Sequence, residues 1–217
     1  LGSSGGMTET YYDIIYEMSL AMGESLFGSE YWDTHNIFFL NFSGAANGTV
    51  VEVANSQVKV DSKGNYVKTT GMQYIKWYNS VAGSKFGSGT PWCAIFTSWC
   101  VANAGYGNEV MQPFASCYYG SQWFMSRNQW TNGGKGYAPK AGDIIFFDWA
   151  DSHDGRPDHV GIVESCDGSY VYTIEGNSSH SVAKRKYPIY SSEIYGYGIP
   201  RYPAKDTDTD TTTNTDV

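Results

Sequence analysis

Between residues 142 and 202 the chain is punctuated at short, regular intervals. The runs GDIIFFDW, DHVGIVES, YVYTIE, VAKRKYP and YGYGIPRY are rich in β-branched and aromatic residues, and Gly, Asp, Ser or Pro separates them. Runs of this kind are strands. The connections between them are too short for a parallel crossover, which needs a dozen residues or more, so the strands pair antiparallel. Five strands are expected, within a range of four to six, laid down as a meander.

The residues before this sheet carry helix signals instead. Thr49 followed by Glu52 and an apolar run, in TVVEVANSQ, is a capping box that opens a helix. In GTPWCAIFTSWCVANAGY, residues 89–106, Thr90 is placed as N-cap and Pro91 at the first helical position, with the helix running to about Asn103 and Gly105 as its stop. VDSKGNY lacks the acidic spacing of a calcium loop and is expected as a solvated turn. Helices first and strands afterwards, without an internal repeat, define an α+β domain over residues 50–203.

The flanks differ in composition. Residues 1–49 hold six acidic residues and no Lys or Arg. Within them Ile14, Ile15, Met18 and Met22 mark a short amphipathic helix, and LGSSGG at 1–6 has the character of a tag or linker. The stretch shows no basic and apolar pattern of a signal peptide. One hypothesis is that this acidic arm lies over the catalytic groove; an ordinary extension is the simpler expectation. Residues 204–217, AKDTDTDTTTNTDV, form a Thr/Asp-rich linker. The formal charge of −8 therefore sits in the flanks, because residues 50–203 carry thirteen basic and twelve acidic side chains. A near-neutral domain lacks the clustered basic surface that phosphate binding wants, so no nucleic-acid partner is expected. No run approaches the roughly 20 apolar residues of a membrane helix, so no membrane insertion is expected.

Four cysteines, Cys93, Cys100, Cys117 and Cys166, form no CxxC pair and no zinc-type spacing. A disulfide among Cys100, Cys117 and Cys166 stays open as to pairing, with buried thiols the simpler expectation. Cys93 differs from them. It falls in the first turn of its helix, where unpaired N–H groups and the positive end of the dipole favour a thiolate. Cys100 lies two turns deeper and has no such help. Of the four histidines, His35 is in the acidic flank, His153 in a charged loop and His180 in a turn, whereas His159 opens a strand. A three-residue hairpin loop, Cys166-Asp167-Gly168, would set Ser165 across from Ser169 and Glu175 directly across from His159. A carboxylate there orients an imidazole and stabilises its cation. A two-residue loop would turn Glu175 to the other face. Gly161 and Thr173, small and on the same face, are expected to admit the Cys93 helix.

TPWCAIFTSWC, AGDIIFFDW, PDHVGIVE and YTIEGNSS resemble, in order, the signature blocks of the CHAP domains, the cysteine, histidine-dependent amidohydrolases/peptidases of phage endolysins, autolysins and other cell-wall hydrolases. The resemblance spans residues 50–203 and implies a papain-like fold, with a helix-borne Cys packed on the antiparallel sheet. It implies Cys93 as nucleophile, His159 as base, Glu175 as the orienting residue and Asn177 as a further polar residue of the site. The Cys93 N–H is then the natural oxyanion donor, and Trp92, Tyr118, Phe147 and Trp149 are candidate groove walls, with core packing the simpler role for each. The implied substrate is the peptide part of peptidoglycan, cut as an N-acetylmuramoyl-L-alanine amidase or as a stem or cross-bridge endopeptidase, through a thioester and outside the cell at the wall. No cofactor is implied. Some members bind calcium near the nucleophile, but no acidic cluster precedes Cys93, so no metal is expected. A monomer is expected, with room for a wall-binding module beyond the C-terminal linker. The rival readings are an NlpC/P60-type endopeptidase, a small-amide amidase of the glutathionylspermidine type, and an idle wall-binding or phage structural module.

Overall fold

The computed structural model describes residues 49–134, 136–149 and 154–203. The acidic flank with its expected helix, the Thr/Asp-rich tail, His35 and His153 lie outside them. Among the described residues the chain forms α1 (Val50–Ser56), α2 (Met72–Ala82), α3 (Cys93–Asn103), α4 (Cys117–Ser126), β1 (Trp130–Asn132), β2 (Ile144–Phe147), β3 (His159–Cys166), β4 (Tyr170–Ser178), β5 (Ser181–Pro188) and β6 (Ile194–Gly198). This is an α+β architecture with one antiparallel sheet ordered β1-β6-β2-β3-β4-β5.

The sheet has six strands, and only β2 to β5 run as a meander. β6 returns to lie beside β2, between it and the three-residue β1. The reason lies in β2: all four residues of IIFF are buried, so a strand on each side must satisfy its backbone groups. Alternate residues of the sheet feed two cores. Ile144, Phe146, Val160, Ile162 and Ile174 pack with the helices, while Ile145, Phe147, Val163, Val171, Ile194 and Tyr197 form a second cluster.

The capping box at Thr49 forms as expected: the Glu52 N–H donates to the Thr49 hydroxyl, and the Thr49 N–H donates to the Glu52 carboxylate. In VDSKGNY the Asp61 carboxylate accepts from the Lys63 and Asn65 N–H groups at 2.8 and 2.9 Å, which closes a turn. Those bonds, the Asn65 backbone first, hold its carboxyl below the usual range.

α3 is buried nearly all round, with Cys93 to Ser98, Cys100 and Val101 all inside. It is the central helix, against which α1, α2 and the sheet pack. Its start corrects the expected cap. A turn closed by the Thr90 N–H on the Gly87 carbonyl, at 3.0 Å, keeps Thr90 and Pro91 outside the helix. The N-cap is Trp92, without a side-chain cap bond, and Cys93 is the first helical residue rather than the third. At the other end Gly105 takes φ +85, donating to Ala102, while Tyr106 donates back to Val101. That is a Schellman stop, as the glycine suggested. α3 approaches β4 closely because Gly176 has no side chain; a Cβ there would lie 2.4 Å from Cβ of Phe96. The close approach of the Cys93 helix is therefore made at Gly176, not at Gly161 and Thr173, which point to the other face.

Candidate active site

As the first residue of α3, Cys93 has a backbone N–H with no partner inside the helix, since the first intrahelical bond runs from Phe96 to the Trp92 carbonyl. The next N–H, that of Ala94, is a hydrogen-bond partner of the Cys93 sulfur. Sγ of Cys117, the first residue of α4, stands 3.7 Å from Sγ of Cys93. This contact is the largest influence drawing the Cys93 thiol well below its ordinary 9.0; burial opposes it, and the His159 ring and the Ala94 N–H add to it. Cys100, buried with no such partners, is pushed well above 9.0.

His159 opens β3 across from Phe147, the last residue of β2. Its side chain is 14% exposed, and its Nε2 lies 2.9 Å from Oε2 of Glu175. With Nε2 engaged by the carboxylate, Nδ1 is the ring nitrogen left for sulfur. Burial disfavours charge on the ring, but the bonds to Cys93 and Glu175 prevail and raise its pKa from 6.5 to about 10. The two shifts run in opposite directions, and both favour a thiolate beside an imidazolium. Phe147 and Trp149, stacked at 4.3 Å, flank the ring with centroids 6.0 and 5.7 Å away.

Glu175 is 1% exposed and anchored on several sides. Besides the His159 bond, Oε1 accepts from the Thr173 hydroxyl at 2.6 Å, and the carboxylate accepts from the phenol of Tyr187. Burial first, and then Glu175, pushes the Tyr187 pKa up. A carboxylate sealed from water persists only when it is bonded in this way.

The route by which Glu175 reaches His159 differs from the expected hairpin. The turn is Gly168-Ser169, with the Asp167 N–H donating to the Tyr170 carbonyl at 3.1 Å and Gly168 at φ +89. Glycine at the first central position is what a II′ turn requires. That two-residue turn pairs Cys166 with Val171 and Ser165 with Tyr172, which by itself would turn Glu175 away from His159. A bulge between Val163 and Ser165 restores the parity, so that Val163 pairs Thr173 and Ile162 pairs Ile174. Continued outward, this register sets Gly161 beside Glu175, with His159 one pleat further on as its diagonal partner. Gly161 leaves the room the carboxylate side chain needs, for a Cβ there would stand 2.7 Å from Cγ of Glu175.

The remaining candidate residues divide. Trp92 is 2% exposed and stacks on Tyr74 at 5.4 Å, and Phe147 is fully buried, so both are core side chains with almost no surface to offer a ligand. Trp149 is half-buried beside His159. Tyr118 is half-buried too, with the Arg156 guanidinium 4.1 Å above its ring. Asn177, at φ +54, lines a cavity of about 530 Å³ together with Lys68, Thr90, Pro91, Trp92 and His180. That cavity adjoins the mouth of α3. His180 stands in its wall.

Three contributors were not singled out for these roles from the sequence: Cys117, Tyr187 and the hydroxyl of Thr173. Thr173 had a legible signal, since a hydroxyl two residues before Glu175 shares its strand face. Cys117 and Tyr187 arrive through tertiary packing and the register of β5. Among the described residues, no group of three His, Cys, Asp or Glu side chains gathers as a metal site, and no helix is long and apolar enough to cross a membrane.

Residues 85–177 match the family model of the CHAP domain. The chain is similar to two solved structures of one protein. "The crystal structure of Ly7917" is 22% identical, with a TM-score of 0.34, covering 50% of this chain and 53% of that one. "The crystal structure of Ly7917 with the hydrolyzing product of MDP" is 20% identical, with a TM-score of 0.40, covering 70% of this chain and 61% of that one. The chain thus spans between about half and three-fifths of the length of the structures it matches. No curated protein matches it.

Proposed function

We propose that the CHAP domain this chain carries at residues 85–177 hydrolyses an amide bond in the peptide part of peptidoglycan, with Cys93 as nucleophile, His159 as general base and acid, and Glu175 as the residue that orients His159. One observation supports this reading above the others. The Cys93 thiol is held low by Cys117 first and then by the His159 ring, and that ring is itself held at 2.9 Å by a carboxylate sealed from water. Purely structural buried thiols move the other way, as Cys100 does.

In this reading the Cys93 thiolate attacks the amide carbonyl, and the developing oxyanion takes the Cys93 N–H left unpaired at the helix mouth. The imidazolium of His159 donates its proton to the leaving amine, and a thioester remains on Cys93. Water, deprotonated by His159, then hydrolyses the thioester and restores the thiolate–imidazolium pair. Glu175 keeps the ring in the required tautomer and stabilises its cation, while Thr173 and Tyr187 fix the carboxylate. The cavity past Thr90, Pro91 and Asn177 receives the peptide chain on one side of the sulfur, with Asn177 a polar contact for substrate. Trp149 and Tyr118 remain as aromatic contacts.

Residues 50–203 form the catalytic unit, flanked by the acidic extension at 1–49 and the linker at 204–217, and the unit acts outside the cell, on the wall. Whether the bond cut is the N-acetylmuramoyl-L-alanine amide or one in the stem or cross-bridge is read from products. Purified peptidoglycan is digested with the parent protein and with Cys93→Ala, and the new amino and carboxyl ends are identified by mass spectrometry. The reading expects new ends in the parent digest alone. Identical digests would remove it.

A further inference from the structure

We infer that Cys117 is a resolving thiol for Cys93: when a hydroperoxide oxidises Cys93, Cys117 closes a reversible disulfide with it and shuts the site. The two residues are the first of α3 and of α4, so two helix starts bring their sulfurs together at 3.7 Å. No disulfide is formed in this structure. A disulfide requires about 2.05 Å, so the sulfurs have about 1.7 Å left to close.

Exposure decides the order of events. Cys93 keeps 4% of its surface open, at the mouth of the site, whereas Cys117 has none. A peroxide therefore meets Cys93 first, and Cys117 reacts only with what forms on Cys93. Cys100 cannot substitute for it, because seven residues along α3 put it about 10 Å further down the axis. Cys166 is at the far end of β3 from His159, about 23 Å along the strand.

The chemistry balances in two steps. The Cys93 thiolate attacks the O–O bond of the hydroperoxide, taking one oxygen as sulfenic acid and releasing an alkoxide that picks up a proton as alcohol. The Cys117 thiol then attacks that sulfur, a disulfide forms, and water leaves. Two thiols have lost two electrons in total, and the peroxide has gained them. An added dithiol reverses the step by exchange, ending as its own disulfide and returning both thiols. Without Cys117 the sulfenic acid would meet more peroxide and go on to sulfinic and sulfonic acids, which dithiols do not reduce.

That the disulfide switches off hydrolysis rests on Cys93 being the nucleophile; the disulfide itself does not. The test reads covalent state and wall lysis separately. The full chain is treated with hydrogen peroxide, and intact mass, peptide mapping and peptidoglycan turbidity are followed before and after dithiothreitol. The expected results are a loss of two hydrogens, a peptide pair linking Cys93 to Cys117, and complete return of mass and lysis with dithiothreitol. Cys117→Ser should instead gain two or three oxygens on Cys93 and fail to recover, while Cys166→Ser should behave as the parent. Stepwise oxygen gain on Cys93 in the parent, or a link through Cys100 or Cys166, would overturn the inference. A Cys93–Cys117 link without any parental lysis would spare it and instead remove the hydrolase reading.

Discussion

Gly161 lies beside the least forgiving contact in the site. In Gly161→Ala the new methyl carbon would sit 2.7 Å from Cγ of Glu175, where ordinary contact begins near 3.4 Å. Cγ is no loose end: Glu175 is tied by Thr173 at 2.6 Å and His159 at 2.9 Å. To relieve the overlap the side chain must retreat by about 0.7 Å, which lengthens the His159 bond from 2.9 Å to at most about 3.6 Å, where it is no longer a hydrogen bond. A charge-assisted bond of this kind contributes about 1.5–3 kcal/mol, and at about 1.4 kcal/mol per decade the hydrolysis rate should fall by roughly 10- to 150-fold. Overpacking should cost a further ~1–3 kcal/mol of stability. The assay is initial loss of turbidity of a peptidoglycan suspension, run beside a melting curve. Gly168→Ala is the control, with a strained φ of +89, open space around the new methyl and a place in a turn far from His159. It should lower Tm and leave the rate alone. A Gly161→Ala rate within about twofold of the parent, or equal losses in both variants, would refute the reasoning.

The other expectations follow from the same contacts. Cys93→Ala and His159→Ala should each reduce wall lysis by at least about a thousandfold, since members of the proposed catalytic unit would fail together; turbidity assays on folded variants check this. Thr173→Val should strand a lone pair of a buried carboxylate and cost about 1–3 kcal/mol in denaturant unfolding, with Thr173→Ser restoring most of it. His159 is raised from 6.5 to about 10 on folding, so its contribution to stability is whole below about pH 6.5 and is lost as pH rises through about 10. The Tm difference between the parent and His159→Gln should therefore shrink across that window, and a difference that grows with pH would contradict it.

Much of this arrangement was legible in the chain, and its gaps have physical causes. Short β-rich runs marked the sheet, but nothing in YGYGIPRY says that it returns beside IIFF, because strand order is a tertiary choice. Cys93 was recognisable at a helix mouth although its helix starts two residues later than Thr90 and Pro91 suggested; the Gly87–Thr90 turn competes for those residues. The sequence points to the pairing of His159 with Glu175 through a register that the structure replaces. A two-residue turn and a bulge at Glu164 together restore the parity that a three-residue loop alone would have set. Single-residue bulges leave no compositional mark. The aromatics were hardest to sort, since Trp92 and Trp149 are equally suited to a core or a groove until burial separates them.

The proposed chemistry depends most directly on the ionisation of one sulfur. Alkylation by iodoacetamide, followed by peptide mapping at pH 6 and pH 8, measures it residue by residue. Cys93 should be modified first, at nearly the same rate at both pH values and ahead of the more exposed Cys166, and that advantage should shrink in His159→Ala, which leaves the Cys117 contact in place. An ordinary thiol has less than about 1% thiolate at pH 6 and speeds up nearly tenfold per pH unit. If Cys93 follows that ordinary curve, or is modified after Cys166, the thiolate–imidazolium pair does not exist and the proposed chemistry fails with it.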